Sequence, residues 1–522
     1  MIKFKKFQFV KSIRKYFLCF GILSLITGCG KNPSTNINLK DTSQIINITA
    51  DTIKKDSASA ENIDTNSIKI LISTFRGNEK RNYYGNKAPS QLKLIWKLYL
   101  GIGYTNASPQ HGGNRWGGAG WTGQPLLVFE NGKLFLIQGA FDHNLKKIDA
   151  ESGEVIWEYG FDDVIKGTGT IFENKNETDP DNRFVILQGS RRGYNFNKGG
   201  KYIFSFRAIS YMTGKELFRL NSKLTPSYSR DVDGSALVIN DTAYLGLENG
   251  IFTIFNPDYR YGEKYENFIL PEIIGEYPLY DKKDISKHGG NLVAESSPAL
   301  LSGKVFTAAG SGHVYAYNIL KKEIDWDFYI GSDLNGSTVV TSDSCILVPV
   351  EKQYIAGEGG LLKLNPGKSE DESAEWYYPT KNVHVSSWDG GVIGTPAVND
   401  LTKKPSHPYL AAFSAIDGYL YLVNYKSIVG EAAGFDGRKI YSLPELVFKY
   451  HTGASISSPI IVRNKIISAG YGGIFLFEFD DEMNFSLLDR RSGSFEASPI
   501  AYNGRVYIAC RDGYLYCLGD EE

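Results

Sequence analysis

Three stretches, ESSPALLSGKVFTAAGSGHVYAYN (295–318), ISSPIIVRNKIISAGYGGIFLFEF (456–479) and EASPIAYNGRVYIACRDGYLYCLG (496–519), share one grammar. A small residue and Pro open a strand, and an Asn or Gly turn reverses it into a second apolar strand. A Gly-containing turn then leads to a third strand alternating aromatic with small or apolar residues. A unit this small cannot bury its own face, so a chain that repeats it must stack the copies. Weaker copies begin at Gly123, near Thr168 and at Asp233, Asn335 and Ile393, making eight units. Their third strands recur roughly every 40 to 60 residues, the spacing of propeller blades.

A fourth strand is marked by an aromatic ring in several units: Trp157, Phe218, Trp326, Trp376 and Phe448. A large ring there wedges between neighbouring sheets, a packing role. The last unit stops at its third strand, RDGYLYCLG, whereas LKLIWKLY (92–99) stands alone before the first unit with a Trp of its own. Pairing the two closes the ring and leaves no open sheet edge. The expected fold is all-β: an eight-bladed β-propeller of four-stranded antiparallel blades, its last blade closed by an N-terminal strand. With 33 Tyr, 29 Phe and 55 Gly against 3 Met, the composition agrees.

The N-terminus is of another kind. Lys3, Lys5, Lys6, Lys11, Arg14 and Lys15 form a basic start, and Tyr16 to Ile26 is an apolar run too short for a membrane span, which together read as a secretory signal over 1–28. Ile26-Thr27-Gly28-Cys29 resembles the lipobox of bacterial lipoproteins. That resemblance implies acylation of Cys29, cleavage before it and attachment to a bilayer. Residues 29–87 are rich in Asn, Ser, Thr, Asp and Lys and read as a flexible tether, with IKILISTF (68–75) as a strand laid against the domain. The propeller occupies 88–522.

A formal net charge of −1 leaves no basic footprint for nucleic acid. Of five cysteines, Cys345, Cys510 and Cys517 fall in the propeller, and the last two read as thiols filling strand positions in preference to a disulfide. The seven histidines lack metal-ligand spacing, no nucleophile elbow or phosphate-cradling loop occurs, and Asp231-Val232-Asp233-Gly234 reads as a polar strand entry. No catalytic residue and no metal site is expected.

The phrase IDAESGEVIW (148–157) resembles the tryptophan-docking repeat of quinoprotein-type propellers, and GHVYA (312–316) and GYLYC (513–517) are similar to that family's third strand. The family includes dehydrogenases carrying pyrroloquinoline quinone with calcium as well as cofactor-free scaffolds. The adjacent-cysteine pair of its alcohol dehydrogenases is absent here. In general plan the chain resembles the BamB-type lipoproteins, which join a lipobox, a tether and an eight-bladed propeller and assist outer-membrane protein assembly. Insertions around 171–182, 257–290 and 425–445 depart from them, so no partner residue is carried over. The expectation is a monomeric propeller anchored by lipid in the outer membrane and facing the periplasm, which binds a protein partner; with no calcium set or adjacent cysteines, no cofactor is expected. A quinone-dependent oxidoreductase and a glycan-binding lipoprotein are the alternatives.

HGGNRWGGAGW (111–121) sets two Trp and an Arg among five Gly, on the face formed by blade linkers and second-to-third-strand turns. It reads either as a solvated rim or as a recognition surface. In the second case Trp116, Trp121 and Trp388 are rigid contacts, and Arg115, Arg191, Arg192 and Arg511, with Asp231, Asp389 and Asp512, meet the charges of a ligand.

Overall fold

The computed structural model describes residues 68–105, 115–192 and 200–520; Cys29 and the signal lie outside them. Eight antiparallel sheets of the expected kind form an eight-bladed propeller, numbered here from blade 1. In blade 1 the inner strand is Leu126–Glu130, followed outward by Lys133–Gly139, Asn144–Asp149 and Val155–Gly160. Inner and middle strands are buried almost throughout while outer strands alternate, as a stack of twisted sheets requires. The outer strands of blades 3 and 7, which carry no recognised aromatic phrase, are Ile273–Pro278 and Phe485–Arg491. Blade 2's third strand runs Phe206–Ser210.

Blade 8 is closed as the repeat requires. Lys93–Tyr99 pairs antiparallel with Tyr514–Gly519, Leu98 opposite Leu515 and Trp96 opposite Cys517. The Trp96 indole donates to the Ala150 carbonyl of blade 1 at 3.1 Å, and Trp157 of blade 1 repeats the contact on Tyr211 of blade 2 at 3.0 Å. Each ring lies on a glycine with positive φ, Gly153 (77°) and Gly214 (68°), where a Cβ would come within 2.9 Å of the indole.

Residues 68–87 depart from the tether reading. Ile68–Ile72 adds a fifth strand on the axial side of blade 1, Ile68 opposite Glu130, and the chain then loops inside the channel until Gly85 bridges Ala501 of blade 8. Ile72, Phe75 and Tyr84 are buried, and so are Arg76 and Arg81, both at 0% exposure. Arg76 donates to the carbonyls of Pro396 and Pro459, at 3.1 and 2.7 Å, and Arg81 to Pro298, Phe75 and Ser235. Backbone amides of Ile171, Leu300, Val340 and Ala501 donate to carbonyls of this loop. The segment thus touches all eight blades. An inner strand has no neighbour on its axial side, so its N–H and C=O groups need partners that a polar loop supplies.

Above this plug the Ser or Thr two residues before the inner strands of blades 2 to 8, with Gln124 at that place in blade 1, forms a belt. Ser235 N–H donates to Ser297 Oγ, Ser297 to Ser337 and Ser337 to Thr395, each at 2.9 Å. Thr395 N–H donates to Ser458 and Ser458 to Ser498, at 2.9 and 3.3 Å. Ser498 Oγ donates to Trp121 O, Gln124 N–H to Thr168 Oγ1 and Ser235 Oγ to Thr168 O, so every blade junction carries a bond.

Candidate functional site

The plug enters and leaves at the end of the channel where first strands turn into second strands: Ile68 stands at the end of blade 1's inner strand, and Lys87 O accepts from Gly504 N–H. The opposite end, where the blade linkers converge, stays open as a blind cup of about 750 Å³. The residue two positions before each belt hydroxyl sits on its rim: Lys166, Glu295, Asn335, Ile393, Ile456 and Glu496 all line the cup. Asp233 takes the same place in blade 3, next to Lys166.

Two groups of charges occupy the wall. In the first, the Lys166 ammonium lies 2.5 Å from Asp233 Oδ2 and 3.9 Å from both Glu248 Oε1 and Glu295 Oε1. These three carboxylates approach one another within 4.8 Å, so the ammonium stands among oxygens that could otherwise surround a metal ion. Burial alone would lower the Lys166 pKa, but Asp233, then Glu248 and Glu295, raise it. Burial pushes Glu295 up to about 8 and Glu248 well above the usual carboxylate range, against the pull of Lys166. Asp231 goes the other way: burial would raise it, but Arg191, at 2.7 Å, and then Lys166 hold it down.

Among the described residues, the second group has no such cation. Asp333 accepts from Asn291 Nδ2 at 2.7 Å and Glu351 from Asn335 Nδ2 at 2.8 Å. Burial raises Asp333 to about 6; burial, then Asp333, raises Glu351 well above its ordinary value. Asp333 Oδ1 and Asn291 Oδ1 are buried without a hydrogen-bond partner. Tyr228, Tyr354 and Trp388 add aromatic wall around these acids.

Of the residues singled out in the sequence, Trp116, Trp121, Trp388 and Arg511 line the cup. Trp121 is 8% exposed and packs beside Ile393, Ile416 and Ile456, so it is wall more than free contact. Trp388 is half-buried and stacks on Tyr471. Two of the arginines are already engaged: Arg191 with Asp231 and Thr105, Arg511 with Glu496 at 3.2 Å. Arg192 N–H donates to Asp231 at 3.1 Å. Arg115 is exposed on a hairpin strand beside the cup, Asp389 pairs with His384, and Asp512 holds its own turn through Tyr514 N–H and the Tyr516 hydroxyl. Of these arginines, Arg191 and Arg511 thus pair with the internal acids Asp231 and Glu496. Asp233, read as a polar strand entry, is a buried member of the ion cluster. Lys166, Glu295 and Glu351 carried no motif, though the first two occupy one repeated place in the blade grammar.

No protein-family model matches the chain, and no curated protein matches it significantly. Among solved structures it is similar to BamB from Moraxella catarrhalis, with a TM-score of 0.48 and 12% identity over 82% of this chain and 100% of that one. It is also similar to the computationally designed Ika8 protein, with a TM-score of 0.46 and 10% identity over 83% of this chain and 100% of that one. At these identities no residue inherits a role.

Proposed function

We propose that the chain is a non-catalytic binding protein of the cell envelope, held to a membrane by acylated Cys29 and presenting its open cup to a protein partner. The observation that carries this is the blind cup itself: the plug fills the channel from one end, and the other end gathers rings and unmatched carboxylates at the linkers of successive blades. Such a site receives a projecting group and holds it by desolvated contacts around an aromatic centre. Outer-membrane protein assembly, with the cup in the periplasm, is the process implied by the resemblance of lipobox, tether and repeat.

The test is in-membrane photocrosslinking from the rim of the full-length chain, compared with a Trp388→Ala, Tyr354→Ala double variant. The expected outcome is a discrete crosslinked partner that the variant loses while its melting temperature holds. Equal crosslinking by both proteins overturns the reading.

A quinone-dependent reaction is the second reading, favoured by the approach of Asp233, Glu248 and Glu295. The fit is poor as the side chains stand, because the Lys166 ammonium already lies among them and a calcium ion would have to displace it. An absorption spectrum and a dye-reduction assay after adding quinone and calcium separate this reading from the first, and a glycan array separates sugar binding from both.

A further inference from the structure

Resting on the proposed binding role, we infer that the Asp333–Glu351 wall of the cup is a receptor for a primary ammonium group, the tip of a lysine side chain or of a free polyamine. The free acceptors decide the chemistry. Asp333 and Glu351 each give one carboxylate oxygen to an asparagine amide, which leaves Asp333 Oδ1 and Glu351 Oε1. Asn291, 3% exposed and itself a lining residue of the cup, carries an unpartnered Oδ1 beside them. Asn291 Oδ1 and Asp333 Oδ1 converge: a Cβ built on Gly310 would lie 2.7 Å from one and 2.9 Å from the other. A wall of acceptors calls for a donor-only group, and an ammonium brings three N–H bonds.

Rival cations suit it less. Calcium takes six to eight oxygens, more than this wall leaves free. A guanidinium prefers both oxygens of one carboxylate, and here each carboxylate has one already engaged. The rings of Tyr354 and Tyr228 beside the acids add the aromatic face that ammonium groups favour. The protein shows the arrangement once already, in Lys166 seated among Asp233, Glu248 and Glu295. Among the described residues, Lys166 and Arg511 are the lysine and arginine that line the cup, and both are committed to other acids.

The charged groups around this wall fix the pH dependence. Glu295, Asp389, Tyr228 and Tyr354 interact with Asp333 or Glu351, and His288, lowered chiefly by burial, packs its ring on Tyr354. Beyond Glu295 lies Lys166 with Asp231, Asp233 and Glu248, and Glu496 with Arg511 completes the rim. An ammonium binds the ionised carboxylates, so affinity rises as pH climbs through the values of Asp333, about 6, and Glu295, about 8.

The experiment is calorimetric titration of the full chain in detergent with Nα-acetyl-lysine methylamide, spermidine, the arginine counterpart and calcium chloride, at pH 5.5 and 8. One-site binding of lysine amide or spermidine is expected, stronger at pH 8 and at least tenfold tighter than the arginine compound. Tighter binding of the lysine amide marks a partner's side chain as the source; tighter spermidine marks a free polyamine. Asp333→Asn with Glu351→Gln is expected to weaken binding at least tenfold while shifting the melting temperature at pH 8 upward, since it removes two buried unpaired charges. Absence of amine binding, a preference for calcium, or undiminished binding by the double variant overturns the inference. Loss of crosslinking from the rim without loss of amine binding would instead remove only the protein-partner reading.

Discussion

Lys166 shows how much of the site one residue holds together. It is the cation among three acids that are otherwise buried together, so removing it leaves like charges in a poorly solvated wall. Lys166→Met is expected to cost about 3 to 5 kcal/mol at pH 8, in the range for breaking a buried pair. The sign with pH follows from the acids. Folded values above the unfolded ones, as for Glu295 at about 8, mean that folding takes up protons, so stability falls as pH rises from about 4 through 8. Without Lys166 those values climb further, and the gap between variant and parent widens across that window. Thermal melts at pH 5 and pH 8 check this; a gap that is constant or narrows toward pH 8 would show that the ammonium does not neutralise the acids. At this scale the sequence was only partly legible. Trp388 and Arg511 announced themselves as odd residues in turns, whereas Lys166 and Glu295 look like ordinary linker charges until the blades bring one position from each unit onto a common rim.

Among the elements, the axial plug was the least legible. RGNEKRN (76–82) has the composition of a solvated tether, and nothing in it declares that Arg76 and Arg81 are buried. The reason lies in its surroundings: the inner strands present backbone N–H and C=O groups to the axis, which the plug satisfies with its own backbone and, for several carbonyls, with Arg76 and Arg81. IKILI, by contrast, has β propensity of its own and was recognisable as a strand. Arg81→Met keeps much of the aliphatic volume but strands the Pro298, Phe75 and Ser235 carbonyls. A loss of about 3 kcal/mol or more is expected, since each orphaned buried group costs about 1 to 3 kcal/mol. Denaturant unfolding monitored by tryptophan fluorescence measures it, and a change below about 1 kcal/mol would mean that the plug is dispensable to the fold.

For the whole molecule, closure is the property on which the cup depends, and here the repeat grammar carried the prediction: a unit lacking its outer strand and an orphan strand with a Trp. The belt across the blade junctions was present in the same grammar as the small residues before the opening strands, but a spacing cannot reveal that a backbone N–H of one blade meets the hydroxyl of the next. Whether the ring's seam equals its other junctions is open to a matched pair of variants. Trp96 crosses the seam from blade 8 to blade 1, and Trp157 makes the same bond and lies on the same kind of glycine between blades 1 and 2. Loss of a large ring from such a wedge costs about 3 to 5 kcal/mol. If the terminal strand is an integral part of blade 8, Trp96→Ala and Trp157→Ala are expected to lower stability by the same amount within about 1 kcal/mol. Faster hydrogen exchange in the first variant should then be confined to 93–99 and 514–519. A Trp96 variant as stable as the parent would leave the seam held by backbone pairing and the belt alone, while global unfolding from that one change would identify the seam as the point from which the propeller opens.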